Sequence, residues 1–429
     1  MLIAIIGNGV AGITAARHIR KLSDHRLTVI SAETDFFFSR TALMYIYMGQ
    51  MTYEQTKPYE DWFWKKNRID LVRDRVEEIE VATNRLRLRS GPPVDYDILL
   101  IATGSRSNRF GWRGENLDGV QGLYSFQDLD LMEKNTKGIA RAVIVGGGLI
   151  GVEVAEMLHS RQIPTTMLVR EDYYWGNICP MAEGLMIGRR LAAHGVDLRV
   201  RTELKEILDK GSGRVQGVVT NTGEEIACEF VALTAGVSPN IDLVRGSAIE
   251  TNRGVLVDEY FRTTIPNIYA IGDCAEFRAT KPDHPPVEQL WYTARMHGEA
   301  VAATICGDPT PYDRGVWFNS AKFFDIEYQT YGYVPPVARE REETFYWESP
   351  DGRRSFRAVW RRDDRKVMGF NLFGIRYRQD VCQDWIRNGA TIDTVMAELK
   401  NANFDPEFFE RPEVAIRKAF VEGHGGQGT

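Results

Sequence analysis

The feature that most constrains this chain is a glycine loop that occurs twice, about 140 residues apart. In residues 1–33 an apolar run, 2–6, leads into Gly7-Asn8-Gly9-Val10-Ala11-Gly12. A helical pattern follows over 13–22, then a second apolar run over 27–30, with Glu33 just past its end. Strand, glycine turn, helix, strand, acid is the order of a dinucleotide-binding βαβ unit. Gly7 permits the tight turn out of the strand, Gly9 lets main chain approach a pyrophosphate, and Gly12 lets helix and strand pack closely. Val10 and Ala11 complete a helix N-terminus whose free N–H groups and positive dipole end suit phosphates. At residue 141 the pattern starts again. A strand over 142–145 precedes Gly146-Gly147-Gly148-Leu149-Ile150-Gly151, with a helix over 152–161 and a strand over 165–169. Two such loops in register imply two nucleotides, one per domain.

The residues around the loops narrow the chemistry. An acid at the end of the second unit's last strand would hold the 2′-hydroxyl of NADH. The sequence there is Val169-Arg170-Glu171. Arg170 suits the 2′-phosphate of NADPH, while Glu171 can reach the ribose, and the balance leans to NADPH. Glu153, one turn into the second helix, reads either as a helix N-terminal charge worth a few tenths of a kcal/mol or as a contact to the nicotinamide or flavin. It is the one catalytic candidate. Arg40 reads as a counter-charge to the pyrophosphate or as a surface salt bridge. A buried strand ends in Ala102-Thr103-Gly104, where small residues let backbone pass close to a ligand. Gly236, within 234–240, marks a tight loop near a ligand. Gly272-Asp273 ends an apolar strand, and its carboxylate can accept hydrogen bonds from a polyol chain. Residues 288–307 read as a helix with Gln289, Leu290 and Trp291 in its first turn.

Composition removes other classes. A net charge of −6 argues against a general nucleic-acid binder. No run of 18 apolar residues suggests a membrane span, and a strand starting at Leu2 leaves no room for a signal peptide. The five cysteines lack CxxC spacing, so neither a disulfide framework nor a metal site is expected. The expectation is a cytoplasmic protein. From residue 316 strands alternate and two helices follow, as in a separate α+β domain. It carries Arg353, Arg354, Arg357, Arg361, Arg362 and Arg365, either a solvated hairpin paired partly by Asp351, Asp363 and Asp364 or a docking site for an acidic partner. A glycine-rich tail, 423–429, closes the chain and is expected to be disordered.

Five motifs in this order resemble one family: Gly7 to Gly12, Ala102 to Gly104, Gly146 to Glu153, Gly236-Val-Ser-Pro-Asn240, and Tyr269-Ala-Ile-Gly-Asp-Cys-Ala275. The chain resembles the flavoproteins with two dinucleotide-binding domains, the pyridine nucleotide-disulfide oxidoreductase class. Within it the chain is most similar to ferredoxin, rubredoxin and nitrite-reductase-type NAD(P)H reductases. The resemblance implies an α/β fold with two Rossmann-like domains and a C-terminal α+β interface domain. The division it implies is 1–114 and 242–314 for FAD, 115–241 for NAD(P)H, and 315–429 for the interface, making a homodimer. By resemblance Gly7, Gly9, Gly12 and Glu33 hold the ADP half of FAD. Gly272 and Asp273 hold the ribityl and pyrophosphate region, and the turn with Leu290 and Trp291 faces the pyrimidine edge. Gly146, Gly148, Leu149 and Gly151 cradle NAD(P)H, with Ile150 and Glu153 near the nicotinamide.

The chain departs from the family where a thiol relay would sit. Its first cysteine is Cys179, and Thr41 stands near the position of the single family cysteine. A lysine often found near Tyr45 is also missing. The reading is an FAD-dependent NAD(P)H oxidoreductase that passes electrons to a ferredoxin- or rubredoxin-like protein. An NAD(P)H oxidase or small-molecule reductase remains open, as does a non-catalytic FAD-binding subunit or redox sensor.

Overall fold

The computed structural model describes residues 1–209, 211–280, 284–405, 407 and 411–424. The last five residues of the glycine-rich tail lie outside the described residues. The chain forms two compact units. One gathers Met1–Gly111, Asp118–Gly138 and Leu233–Arg314; the other gathers Trp112–Leu117, Ile139–Ala232 and Gly315–Thr429.

The first unit is built on a parallel sheet in the order Ile268–Ala270, Ile98–Ile101, Leu2–Ile6, Arg26–Ser31, Ile69–Arg73. These strands are short and apolar because both faces are buried. Ile3, Ile5, Leu99, Leu100 and Ile268 are almost fully enclosed. From Leu2–Ile6 the chain builds outward in one direction, then returns to build on the other side. The topological switch therefore lies between Leu2–Ile6 and Ile98–Ile101, where an open α/β sheet leaves its ligand crevice. Gly7, Ala102 and the Gly272 turn stand at the carboxyl ends of three adjacent strands. The helix Val10–Leu22 begins at the first of these ends.

The expected helix over 288–307 is shorter, Trp291–Ile305. Leu290 is its cap, with an extended backbone at φ −137° and ψ 149°, so Gln289 and Leu290 precede the helix. The segment after Gly104 also contains a strand, Ser105–Ser107, antiparallel to Val237–Pro239.

The second unit carries the second nucleotide fold, with strands in the order Val196–Arg199, Thr165–Leu168, Ala142–Val145, Phe230–Leu233. The helix Leu149–Ser160 follows its glycine loop. The residues from 315 form an antiparallel sheet in the order Phe318–Phe323, Ile326–Gly332, Val367–Phe373, Ser355–Arg361, Glu342–Glu348. Helices Gln379–Arg387, Ile392–Glu398 and Glu413–His424 follow it. Phe356, Phe370, Trp385, Val395 and Ile416 share one apolar core there. Among the described residues no helix is long and apolar enough to cross a membrane.

Candidate functional site

The first loop has the geometry its glycines require. Gly7 sits at φ +114°, and a Cβ there would stand 2.1 Å from the Ala102 carbonyl oxygen. A Cβ on Gly12 would stand 2.1 Å from the Gly7 oxygen. Both glycines are therefore needed by the protein itself. Gly9 differs: a Cβ there meets nothing within 4 Å. Gly9 caps the helix Val10–Leu22 in an extended conformation, with no side chain bonding the first N–H groups. An uncapped helix start beside open space is what a pyrophosphate needs, so the residues fit the adenine dinucleotide the motif implies.

The second loop repeats this. Gly146 sits at φ +110°. Gly148 caps Leu149–Ser160 without a side-chain bond, and its Cβ would again meet nothing. Leu149 and Ile150 are half-buried in the first turn, and Gly151 is buried below them.

Asp273 lies close to the first loop, since a Cβ on Gly272 would stand 2.9 Å from Ala11 Cβ. The Asp273 carboxylate accepts the Ser105 hydroxyl at 2.9 Å and the Tyr124 hydroxyl at 3.4 Å. Burial pushes its carboxyl up, against those bonds and the Arg40 charge. Gln289 donates to Ser105 Oγ at 2.8 Å, which joins the turn before Trp291 to the same network. Trp291 is 37% exposed and Leu290 half-buried. Gly104, at φ +69°, leaves room for the Tyr124 hydroxyl, which would lie 2.9 Å from a Cβ. Thr103 donates to the Asn240 carbonyl at 2.6 Å, and Gly236 at φ +86° packs beside Asn108.

Glu33 and Arg40 form one partly buried, bidentate pair, Nη1–Oε1 at 2.7 Å and Nη2–Oε2 at 2.6 Å. Glu33 also accepts the Phe126 N–H at 2.9 Å, and Arg40 donates to the Tyr124 carbonyl and covers its ring. Residues 124–127 thus join the Glu33 end of the crevice to the Asp273 end. Sequence reasoning did not single out Tyr124, Phe126 or Ser105; lone tyrosines and serines carry no spacing signal.

In the second unit Arg170 is 71% exposed, and its guanidinium meets Glu171 at 3.3 Å. Arg201 stands nearby, since its N–H donates to the Glu171 carbonyl at 2.9 Å. Burial, with the Glu156 charge adding, pushes the Glu153 carboxyl up to about 7. Glu156 itself pairs with Lys322 at 2.7 Å.

All five cysteine thiols are pushed up by burial. Cys274, next to Asp273, faces the Ile271 and Ile101 carbonyls. No thiolate is held ready at the first loop. Five of the six clustered arginines are already paired: Arg354 with Asp351, Arg357 with Glu183, Arg361 with Asp364, Arg362 with Glu343, Arg365 with Asp393. That reduces the field the cluster can present to an acidic partner.

Comparison with known proteins agrees with this geometry. The family described as pyridine nucleotide-disulphide oxidoreductase matches residues 1–298, and the chain belongs to it. A rubredoxin-NAD(+) reductase from Pseudomonas putida is 28% identical, over 72% of this chain and 81% of that protein. Rhodocoxin reductase from Rhodococcus erythropolis is 30% identical, over 75% and 76% respectively. The solved structure of an NAD-dependent persulfide reductase from A. fulgidus shares the fold, with a TM-score of 0.86 at 24% identity, covering 99% of this chain and 84% of that one. The protein is an FAD-dependent oxidoreductase that uses a nicotinamide dinucleotide.

Proposed function

We propose that the protein takes hydride from NADPH onto FAD and delivers electrons to a small ferredoxin- or rubredoxin-like carrier. The observation that carries this is the pairing of two uncapped glycine loops with the lack of any activated thiol. When bound, FAD would accept the hydride and release electrons to the acceptor. The chain's own residues bind, orient and tune. In this reading Gly7, Gly9, Val10, Ala11 and Gly12 present main-chain N–H groups to the FAD pyrophosphate. The Glu33–Arg40 pair holds the adenosine side, and Asp273 holds the ribityl side over Ala102-Thr103-Gly104. Leu290 and Trp291 border the flavin, with Gly236 in the adjoining loop. Gly146, Gly148, Leu149, Ile150 and Gly151 cradle the donor, and Glu153 holds or releases a proton beside its nicotinamide. Arg170 supports NADPH because it is exposed and only loosely held by Glu171. With the thiols protonated by burial, a carrier that takes single electrons is the acceptor that fits. The proposed division is an FAD domain of 1–114 and 242–314, an NADPH domain of 115–241, and an interface domain of 315–429 through which two copies pair.

The test is an anaerobic spectral titration with NADPH and, separately, NADH, followed by turnover with a ferredoxin or a rubredoxin. Bleaching of bound flavin by NADPH at the lower concentration, then reduction of the carrier, is the expected result. Fast aerobic turnover with no carrier would replace the carrier by oxygen or a small acceptor. Bound flavin that neither nucleotide reduces would leave a binding subunit or sensor.

A further inference from the structure

Beneath the Gly272–Asp273 turn lies a buried polar cluster that none of these roles uses. His297, on the helix Trp291–Ile305, is fully enclosed, and Glu288 and Arg314 are nearly so. The Gly272 N–H donates to His297 Nδ1 at 3.1 Å. A backbone N–H can only donate, so Nδ1 carries no proton and the neutral ring keeps its proton on Nε2. That Nε2–H lies 3.2 Å from Glu288 Oε2. Glu288 also accepts the Tyr312 hydroxyl at 2.9 Å and Arg314 Nη1 at 3.0 Å. Against the upward push of burial, these partners hold the Glu288 carboxyl below its usual range. An ionised Glu288 balanced by Arg314 therefore selects the Nε2–H tautomer, and that tautomer leaves an acceptor facing Gly272. Phe261 and Tyr312 pack on the imidazole at 4.9 and 4.7 Å between ring centres, which fixes its plane.

The turn has little freedom otherwise. Gly272 sits at φ +69° against Ala11. Gly298, next to His297, brings the helix so close that a Cβ there would stand 2.6 Å from the Ala11 carbonyl oxygen. The His297 bond holds the N–H of the Ile271–Gly272 peptide, one residue before Asp273, while the Ala275 N–H donates to the Gly272 carbonyl on the other side.

We infer that His297 is a positioning residue for the flavin site: through the Gly272 peptide it sets the Asp273 carboxylate, and Glu288 with Arg314 sets His297. The inference rests on the proposed FAD site. It predicts that His297→Leu, which has no acceptor, releases FAD from the full-length holoenzyme about tenfold more readily, the weight of one lost hydrogen bond. His297→Gln, whose amide offers both an acceptor and a donor, stays within about twofold of the parent. Melting of the flavin-free proteins separates this from a general loss of structure, since both variants replace the same buried ring. Equal FAD affinity in the Leu variant, or equal weakening in both variants, overturns the inference. Should the Leu variant fail to fold, nitrogen NMR of the wild-type ring decides: a proton on Nε2 supports the assignment, and one on Nδ1 refutes it. A wild-type protein that never holds FAD refutes the site itself, which is a different outcome.

Discussion

The two glycine loops share a backbone and differ in what surrounds it. Gly7 and Gly146 have φ of +114° and +110°, and Gly9 and Gly148 cap their helices at φ −71° and −81°, neither with a side-chain bond. The middle residue is where they part. Asn8 donates to the Thr34 carbonyl at 2.9 Å and accepts the Ser31 hydroxyl, tying the first loop to its second strand. Gly147 occupies that place in the second loop, and a Cβ there would stand 2.7 Å from Val169 Cγ2 and 3.3 Å from the Tyr174 ring. One loop is braced by polar bonds, the other by apolar packing. Beyond the second strand the first unit offers Glu33, bound to Arg40, and the second offers an exposed Arg170. In the proposed reading both loops receive a pyrophosphate through this shared backbone, and the end of the second strand sets which nucleotide each takes.

Glycine substitutions break the comparison hardest. Gly12→Ala drives a methyl into the Gly7 carbonyl, a main-chain atom that cannot yield. We expect a loss of about 3 kcal/mol or more, or no folded first unit, read by thermal melting of the flavin-free protein. Gly9→Ala and Gly148→Ala meet no protein atom, so their melting points should stay within a few degrees. They should weaken one ligand each, by tenfold or so, because the methyl would enter the space proposed for the pyrophosphate. Gly9→Ala is expected to lower FAD affinity, and Gly148→Ala to raise KM for the donor. A Gly148→Ala variant with unchanged KM removes the second loop from the site.

The loops were legible in the sequence because part of their geometry is imposed by residue type: only glycine suits the φ of Gly7 and Gly146 and the close approach at Gly12. The apolar strands were legible for the same reason, since a strand buried on both faces must be continuously hydrophobic. What connects the loops to the rest of the site was not. Glu33 and Arg40 were each noted, but their pairing depends on how residues 34–39 fold back, which no periodicity encodes. Tyr124 reaches Asp273 across 149 positions of sequence. His297 is a single histidine inside an apolar helix; only its neighbour Gly298 hinted at a close approach. The helix start was placed early because residues 288–290 look helical by pattern. Glu288 is instead consumed by His297, Tyr312 and Arg314, which hold the chain extended up to Leu290.

Arg170 sharpens the comparison at the nucleotide ends. Replacing it by Glu places an acid where the first unit has Glu33 and removes the exposed cation. The ratio of kcat/KM for NADPH to that for NADH is expected to fall by about tenfold to a hundredfold, the range of one charge-assisted bond. The flavin spectrum and melting point should not change, because Arg170 is exposed. A ratio that does not move assigns donor choice elsewhere on that rim, with Arg201 the neighbouring cation.

The smallest expected effect concerns Glu153, which has no counterpart in the first loop: there the equivalent helix position is Thr14. Glu156 pairs with Lys322, and burial, with the Glu156 charge adding, pushes the Glu153 carboxyl up to about 7. A carboxyl raised in the folded state gives stability that is full below the ordinary carboxylate range and is lost as pH rises through about 7. The flavin-free protein should therefore melt a few degrees lower at pH 8 than at pH 6, and Glu153→Gln should remove much of that difference. The rate of flavin reduction by the donor should show an inflection near pH 7 in the wild type and a flat profile in Glu153→Gln. Should the inflection persist in the variant, the titrating group lies in the flavin unit, and the second helix contributes binding alone.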